Sequence, residues 1–191
     1  MALLLGGCVV LGTGVALLLT ADAGSDGFST LVNGVALGAD LPFFVANLAV
    51  SAVFIALAAA RRVRPGIGTV VQILVVGLIA DRLLHLLETP GSVLGQALLL
   101  VAALPVLSVG IALYLGAQLG AGPVEAAGLA WDPPVPFKWS YSAAQLVGAI
   151  VGWLLGATIG PGTIAVILLL GPAIDVTSRW LRLDVHQRME P

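Results

Sequence analysis

One membrane pattern is written twice in this chain, and that duplication constrains its fold more than any other feature. Residues 66–81 and 160–175 agree at seven of sixteen positions at an offset of 94, from Gly66-Ile67-Gly68-Thr69 and Gly160-Pro161-Gly162-Thr163 to Asp81 and Asp175. Residues 14–24 and 110–120 agree at six of eleven at an offset of 96. Leu41-Pro42-Phe43 returns as Val135-Pro136-Phe137, so a two-residue length difference falls between the blocks. In a chain this rich in Leu, Ala, Val and Gly, about one position in ten would match by accident, so composition does not account for the agreement. A duplicated unit in an apolar chain is the usual footprint of transporter-like architecture.

Charged residues make up 9% of the chain and hydrophobic ones 59%, with a mean hydropathy of +1.09. Soluble domains carry about 25% charged residues, so this composition implies an integral membrane protein. The basic residues are too few and too scattered to track a phosphate backbone, and no nucleic-acid partner is expected. The single cysteine, Cys8, lies in the first apolar segment, which excludes an intrachain disulfide. Arg outnumbers Lys seven to one, which points to a GC-rich bacterial source. Ala21-Asp22-Ala23 has the form of a signal-peptide cleavage site. No basic residue precedes Arg61, however, and cleavage would remove half of one repeat, so residues 2–21 are expected to be a span.

Six spanning helices are expected near 2–21, 43–60, 67–87, 95–117, 139–157 and 162–181. Between them, residues 28–37 and 123–131 are too short to span and too apolar for free loops, which predicts re-entrant, interfacial or broken half-helices. The fold expected is an all-α membrane protein of six transmembrane helices, built as two inverted three-helix repeats, 1–94 and 95–191, in one membrane domain. Three spans per repeat would turn the second copy upside down. One face would then carry Arg61, Arg62, Arg64, Lys138, Arg179, Arg182 and Arg188, and the other Arg82 alone, which places both termini in the cytoplasm.

These motifs resemble those of the YczE/YitT-type family of bacterial multi-pass membrane proteins, in particular its YczE-like branch. Members carry Gly-x-x-Pro-x-Asp after the first span, Gly-x-Gly-Thr opening a later helix, and Gly-x-x-x-Asp within it. Gly120-Ala121-Gly122-Pro123-Val124-Glu125 is similar to the first element, with Glu125 in the acidic position. The first copy departs from it, with Gly27 in place of Pro and Ser29 in place of the acid, and Asp26 three residues earlier. The resemblance covers residues 8–182 and implies a fold and a bacterial plasma-membrane location rather than an activity.

Candidate chemistry falls into three groups. Thr69 and Thr163, after Gly68 and Gly162, open helices whose free first-turn amides can hold an anion or simply cap and pack the helix end. Asp81 and Asp175 each precede a cation by four residues, His85 and Arg179, forming either a proton-coupling site or an interfacial ion pair. Asp22, Asp26, Gln118 and Glu125 flank the two broken connections, where a polar substrate cavity is expected, with Asp22 and Asp26 in an external loop as the plainer reading. Asn47, Gln72, Gln96 and Gln145 add intramembrane polar groups suited to interhelical hydrogen bonds. Trp131, Trp139, Tyr141 and Trp180 read as an aromatic belt. Neither a metal-ligand set nor a nucleophile–base pair is visible, so no cofactor, metal or enzyme activity is expected.

The functional expectation is a small secondary transporter or exporter of a small anionic or amphiphilic solute, bound at the repeat interface. The rival is a non-transporting scaffold or accessory subunit of a neighbouring enzyme complex. The lipid bilayer is the obligatory partner, and the small residues on the helices leave room for a homodimer.

Overall fold

The computed structural model describes residues 1–63, 65–131, 134–135 and 137–183. Among the described residues eight helices follow one another: α1 (Ala2–Thr20), α2 (Gly27–Ala39), α3 (Phe43–Ala60), α4 (Ile67–Leu84), α5 (Val93–Gly116), α6 (Pro123–Leu129), α7 (Phe137–Leu154) and α8 (Pro161–Leu181). The described residues contain no strand. The same order, long–short–long–long, occurs in each half of the chain, and α2 and α6 stand where the two short apolar segments were expected.

Among the described residues, α1, α3, α4 and α5 are long and apolar enough to cross a membrane. A fifth is added if α8, bent by 43° between Pro161–Leu170 and Pro172–Leu181, is one span. The bend falls where Pro172 removes an amide donor from the helix ladder. The remaining expected span, α7, is diluted in its first half by Lys138, Ser140, Ser142 and Gln145. The molecule is therefore an all-helical membrane protein. The outward faces agree: Val53, Leu57, Leu98, Val101, Ile164 and Leu168 are all more than half exposed, as side chains facing lipid would be.

Half of α1 is buried, against a third of α4 and α5, which makes α1 the central helix. It packs on α5 and α4, and α5 packs in turn on α8. In lipid, burial of apolar surface does not drive helices together, so close backbone approach has to. Small residues supply it. A methyl group on Gly110 would sit 2.5 Å from Leu11 N, and one on Gly14 would sit 3.0 Å from Leu107 N. The contact is reciprocal, because positions 11 and 107, like 14 and 110, are related by the offset of 96. Across the halves α2 packs on α7 and α3 on α6, so the two halves interlock. Gly27 is pressed against the Gln145 carbonyl, and Gly34 against that of Gly152.

A cavity between the two short helices

Both connections leave their long helix by the same turn. Asp22 (φ 48°) and Gln118 (φ 56°) are left-handed, and two residues on, Gly24 (φ 93°) and Gly120 (φ 130°) are too. Only glycine adopts the latter conformations without strain. The turns deliver main-chain carbonyls to the opposite half. Gly162 N donates to Ala23 O at 2.7 Å, and Gly68 N donates to Leu119 O at 2.7 Å. Thr69 Oγ1 donates to Ala121 O at 2.6 Å and accepts from Gly66 N at 3.1 Å. Thr163 Oγ1 accepts from Gly160 N at 3.5 Å. The Gly-x-Gly-Thr motifs thus dock each connection on the first turn of α4 or α8. The Gly68 and Gly162 amides are taken by carbonyls of the opposite half and those of Gly66 and Gly160 by the threonine hydroxyls, and Gly68, Thr69, Gly162 and Thr163 are buried away from the cavity described next.

Past these docks the short helices begin in register, α2 at Gly27 and α6 at Pro123. Asp26 caps α2, its Oδ2 accepting from Ser29 N at 3.0 Å. Glu125 stands in the first turn of α6. Negative charge at these ends is favoured by the unsatisfied amides of the first turn. Both side chains reach one cavity of about 70 Å³ at the centre of the molecule. Its polar lining comprises Asp26, Ser29, Asn47, Gln72, Glu125, Tyr141 and Gln145; the rest is apolar, including Val15, Leu107 and Ile111. Among the described residues, no Lys, Arg or His lines it.

Most of the polar groups are anchored. Gln145 Oε1 accepts from Phe28 N at 2.9 Å, and its Nε2 donates to Tyr141 Oη at 2.8 Å. Asn47 Nδ2 donates to Ile73 O at 2.9 Å. Tyr114 Oη accepts from Gly122 N at 3.2 Å and is hydrogen-bonded to the Glu125 side chain. Among the described residues of the cavity two acceptors are left over: Glu125 Oε2 and Gln72 Oε1 are buried without a partner. Both side chains border Gly122, where an added methyl group would meet Glu125 Oε2 at 2.5 Å and Gln72 Nε2 at 3.4 Å. Glu125 and Asp26 lie in connections between the long helices, and burial pushes both carboxyls up, Glu125 to about 7. Each also raises the proton affinity of its neighbourhood by charge, as the effect of Asp26 on Glu125 shows.

The expected quartet of Asp22, Asp26, Gln118 and Glu125 divides. Asp26 and Glu125 meet in the cavity, whereas Asp22 and Gln118 are exposed at the left-handed helix ends. Asp22 Oδ1 instead accepts from Thr158 Oγ1 at 2.6 Å in a separate small recess. Asp81 lies in the last turn of α4, and its Oδ1 accepts from Phe44 N at 3.0 Å, capping α3. His85 meets Asp81 through the main chain, Nδ1 to the carbonyl oxygen at 2.7 Å, rather than carboxylate to ring. Arg179 is exposed; the side chain of Asp175, like Arg64 and Arg188, lies outside the described residues. Tyr141 corrects the aromatic-belt reading, because it faces the cavity and binds Gln145. Trp131 and Trp139 do lie on the outer surface, along an open apolar groove, with the Arg61 guanidinium 4.5 Å above the Trp131 ring. Sequence reasoning missed Tyr114 entirely; its equivalence to Leu18 at the offset of 96 was the available signal, a polar group in one copy only.

A family of unknown function, DUF6198, matches residues 1–179. The chain belongs to this family. A DUF6198 chain is thus similar, at 23% identity over 168 residues, to an uncharacterized protein of Haemophilus influenzae (strain ATCC 51907 / DSM 11121 / KW20 / Rd). The match covers 87% of this chain and 77% of the relative. No solved structure matches.

Proposed function

We propose that this DUF6198 chain is a small secondary transporter or exporter whose solute binds in the central cavity, at the interface of two inverted three-helix repeats. The observation that carries this reading is that much of the cavity's lining falls into equivalent pairs. Leu11 and Leu107, Val15 and Ile111 are related by the offset of 96; Asn47 and Tyr141, Val76 and Leu170 by 94. A cavity lined twice by the same positions belongs on the pseudo-twofold axis, where inverted-repeat transporters hold their substrates. Reciprocal docking of each connection on the other half supports the same symmetry, and rocking of one half against the other would open the cavity to alternate sides.

The solute is small and amphiphilic. Two carboxylates and, among the described residues, no basic group weigh against the anionic solute expected from the sequence, because an anion here would meet like charge at low dielectric. The six-span topology, cytoplasmic termini, plasma-membrane location and YczE-like kinship remain part of the proposal, supported by the helix order, the arginine distribution and the motif spacing. So does a homodimer.

The test is solute counterflow in proteoliposomes with purified protein, screening small amphiphilic metabolites. Uptake by the natural sequence, lost in Asp26→Asn and Glu125→Gln while both variants keep their helical content, is the expected result. Uptake by none, with the natural sequence and both variants folded, overturns the reading and favours the scaffold.

A further inference from the structure

We propose that the cavity holds the protonated head group of a small primary amine, with its nitrogen at Glu125 and Gln72 and a short alkyl part against Val15 and Ile111. The inference rests on the transporter reading of the same cavity and names its substrate class. Three observations converge on it.

The first is charge. Two carboxylates face the cavity and none of its described lining residues is basic. An ionised carboxylate away from water needs a counter-charge. Asp26 already has part of one, from Ser29 N at 3.0 Å and the first turn of a 13-residue helix. Glu125 holds Tyr114 by one hydrogen bond and leaves Oε2 buried without a partner. A single cation beside Glu125 would supply both a charge and donors, with Asp26 already held by an amide donor.

The second is hydrogen-bond polarity. The orphaned atoms, Glu125 Oε2 and Gln72 Oε1, are both acceptors. With Glu125 ionised, a group that brings donors as well as charge satisfies both atoms. A primary ammonium carries three N–H donors, whereas an alkali ion and a quaternary ammonium carry none. The third is size and surface. About 70 Å³ admits a few atoms, and beside its polar groups the lining is apolar, with aliphatic side chains such as Val15 and Ile111 alongside Phe28 and Phe43. A short alkyl chain satisfies them.

The experiment is thermal unfolding of the purified full chain in detergent, at mildly alkaline pH, with chloride salts of ethylammonium, tetramethylammonium and potassium. Ethylammonium at a hundredfold excess over its dissociation constant should raise the midpoint by about 5 °C or more. Tetramethylammonium and potassium should leave it unchanged. Glu125→Gln should abolish the ethylammonium shift, and Asp22→Asn, at a carboxylate outside the cavity, should keep it. Equal shifts with all three salts, a shift with potassium alone, or an ethylammonium shift that survives Glu125→Gln overturns the proposal. Should Glu125→Gln fail to fold, the comparison of the three salts on the natural sequence decides alone. Counterflow of a solute that contains no amine, with no ethylammonium shift, overturns the amine and leaves the transporter reading standing. An ethylammonium shift in a protein that moves no solute does the reverse.

Discussion

Replacing Glu125 by Gln should make the protein more stable at neutral and alkaline pH and remove the part of its pH dependence that Glu125 carries, leaving the slope in the same direction from Asp26. Burial raises this carboxyl from its ordinary value of 4.5 to about 7 in the folded chain. The folded state therefore binds the proton more tightly than the unfolded state. Stability is highest below the unfolded value, falls as pH rises toward 7, and is level above it. At 1.36 kcal/mol per pKa unit, the full fall is about 3 kcal/mol, an upper figure because water entering the cavity screens the ionised carboxylate. Glutamine has nearly the same shape, still accepts from Tyr114, and never ionises. The variant should thus lie close to the natural protein near pH 4.5 and exceed its unfolding midpoint by roughly 5–10 °C above neutrality, at the ~2–4 °C per kcal/mol usual for this size. Thermal unfolding in detergent, followed by circular dichroism over that pH range, measures both curves. A variant whose midpoint falls with pH as steeply as the natural protein's would refute the assignment of the slope to Glu125.

Other residues give sharper local tests. Thr69→Val removes the hydroxyl that binds Ala121 O and Gly66 N, and should destabilise the chain by about 1–3 kcal/mol; Thr163→Val, whose single bond is long at 3.5 Å, should cost less in the same unfolding assay. Asp81→Ala should lose about 1 kcal/mol by uncapping α3, and Asp81→Asn should recover most of it, since the amide oxygen still accepts from Phe44 N. If Asp81 carries a coupling proton instead, Asp81→Asn would keep stability but abolish the pH dependence of counterflow. Gly110→Ala forces α1 and α5 apart and should cost about 1–3 kcal/mol, while Gly6→Ala, with nothing within 4 Å of the new methyl group, should leave the midpoint unchanged or raise it.

Much of this architecture was legible because it is periodic. Long apolar runs can only be helices in a bilayer, since every main-chain amide must be satisfied within the segment. The two short runs could be recognised because α2 and α6 are too short to cross and too apolar for solvent. Internal repetition announced which positions would be equivalent, and the equal turns at Asp22 and Gln118, Gly24 and Gly120 follow from it. Asp26 and Glu125 could be named as cavity residues because they open short helices inside the membrane domain.

Which polar groups would meet was decided by the tertiary structure. Asp22 and Asp26 are four residues apart, yet the left-handed turn between α1 and α2 sends one to Thr158 and the other into the cavity. Asp81 has His85 on its own helix, but its carboxylate serves an amide 37 residues away, because the start of α3 is packed against the end of α4 and its first-turn amides need an acceptor. Tyr141 turns inward because Gln145, one helical turn along, is itself held by the first turn of α2 from the other half. Sequence spacing determines helices and the residues that share their faces; the partner of a buried polar group depends on which donor or acceptor the packing leaves within 3 Å, and no local pattern encodes that.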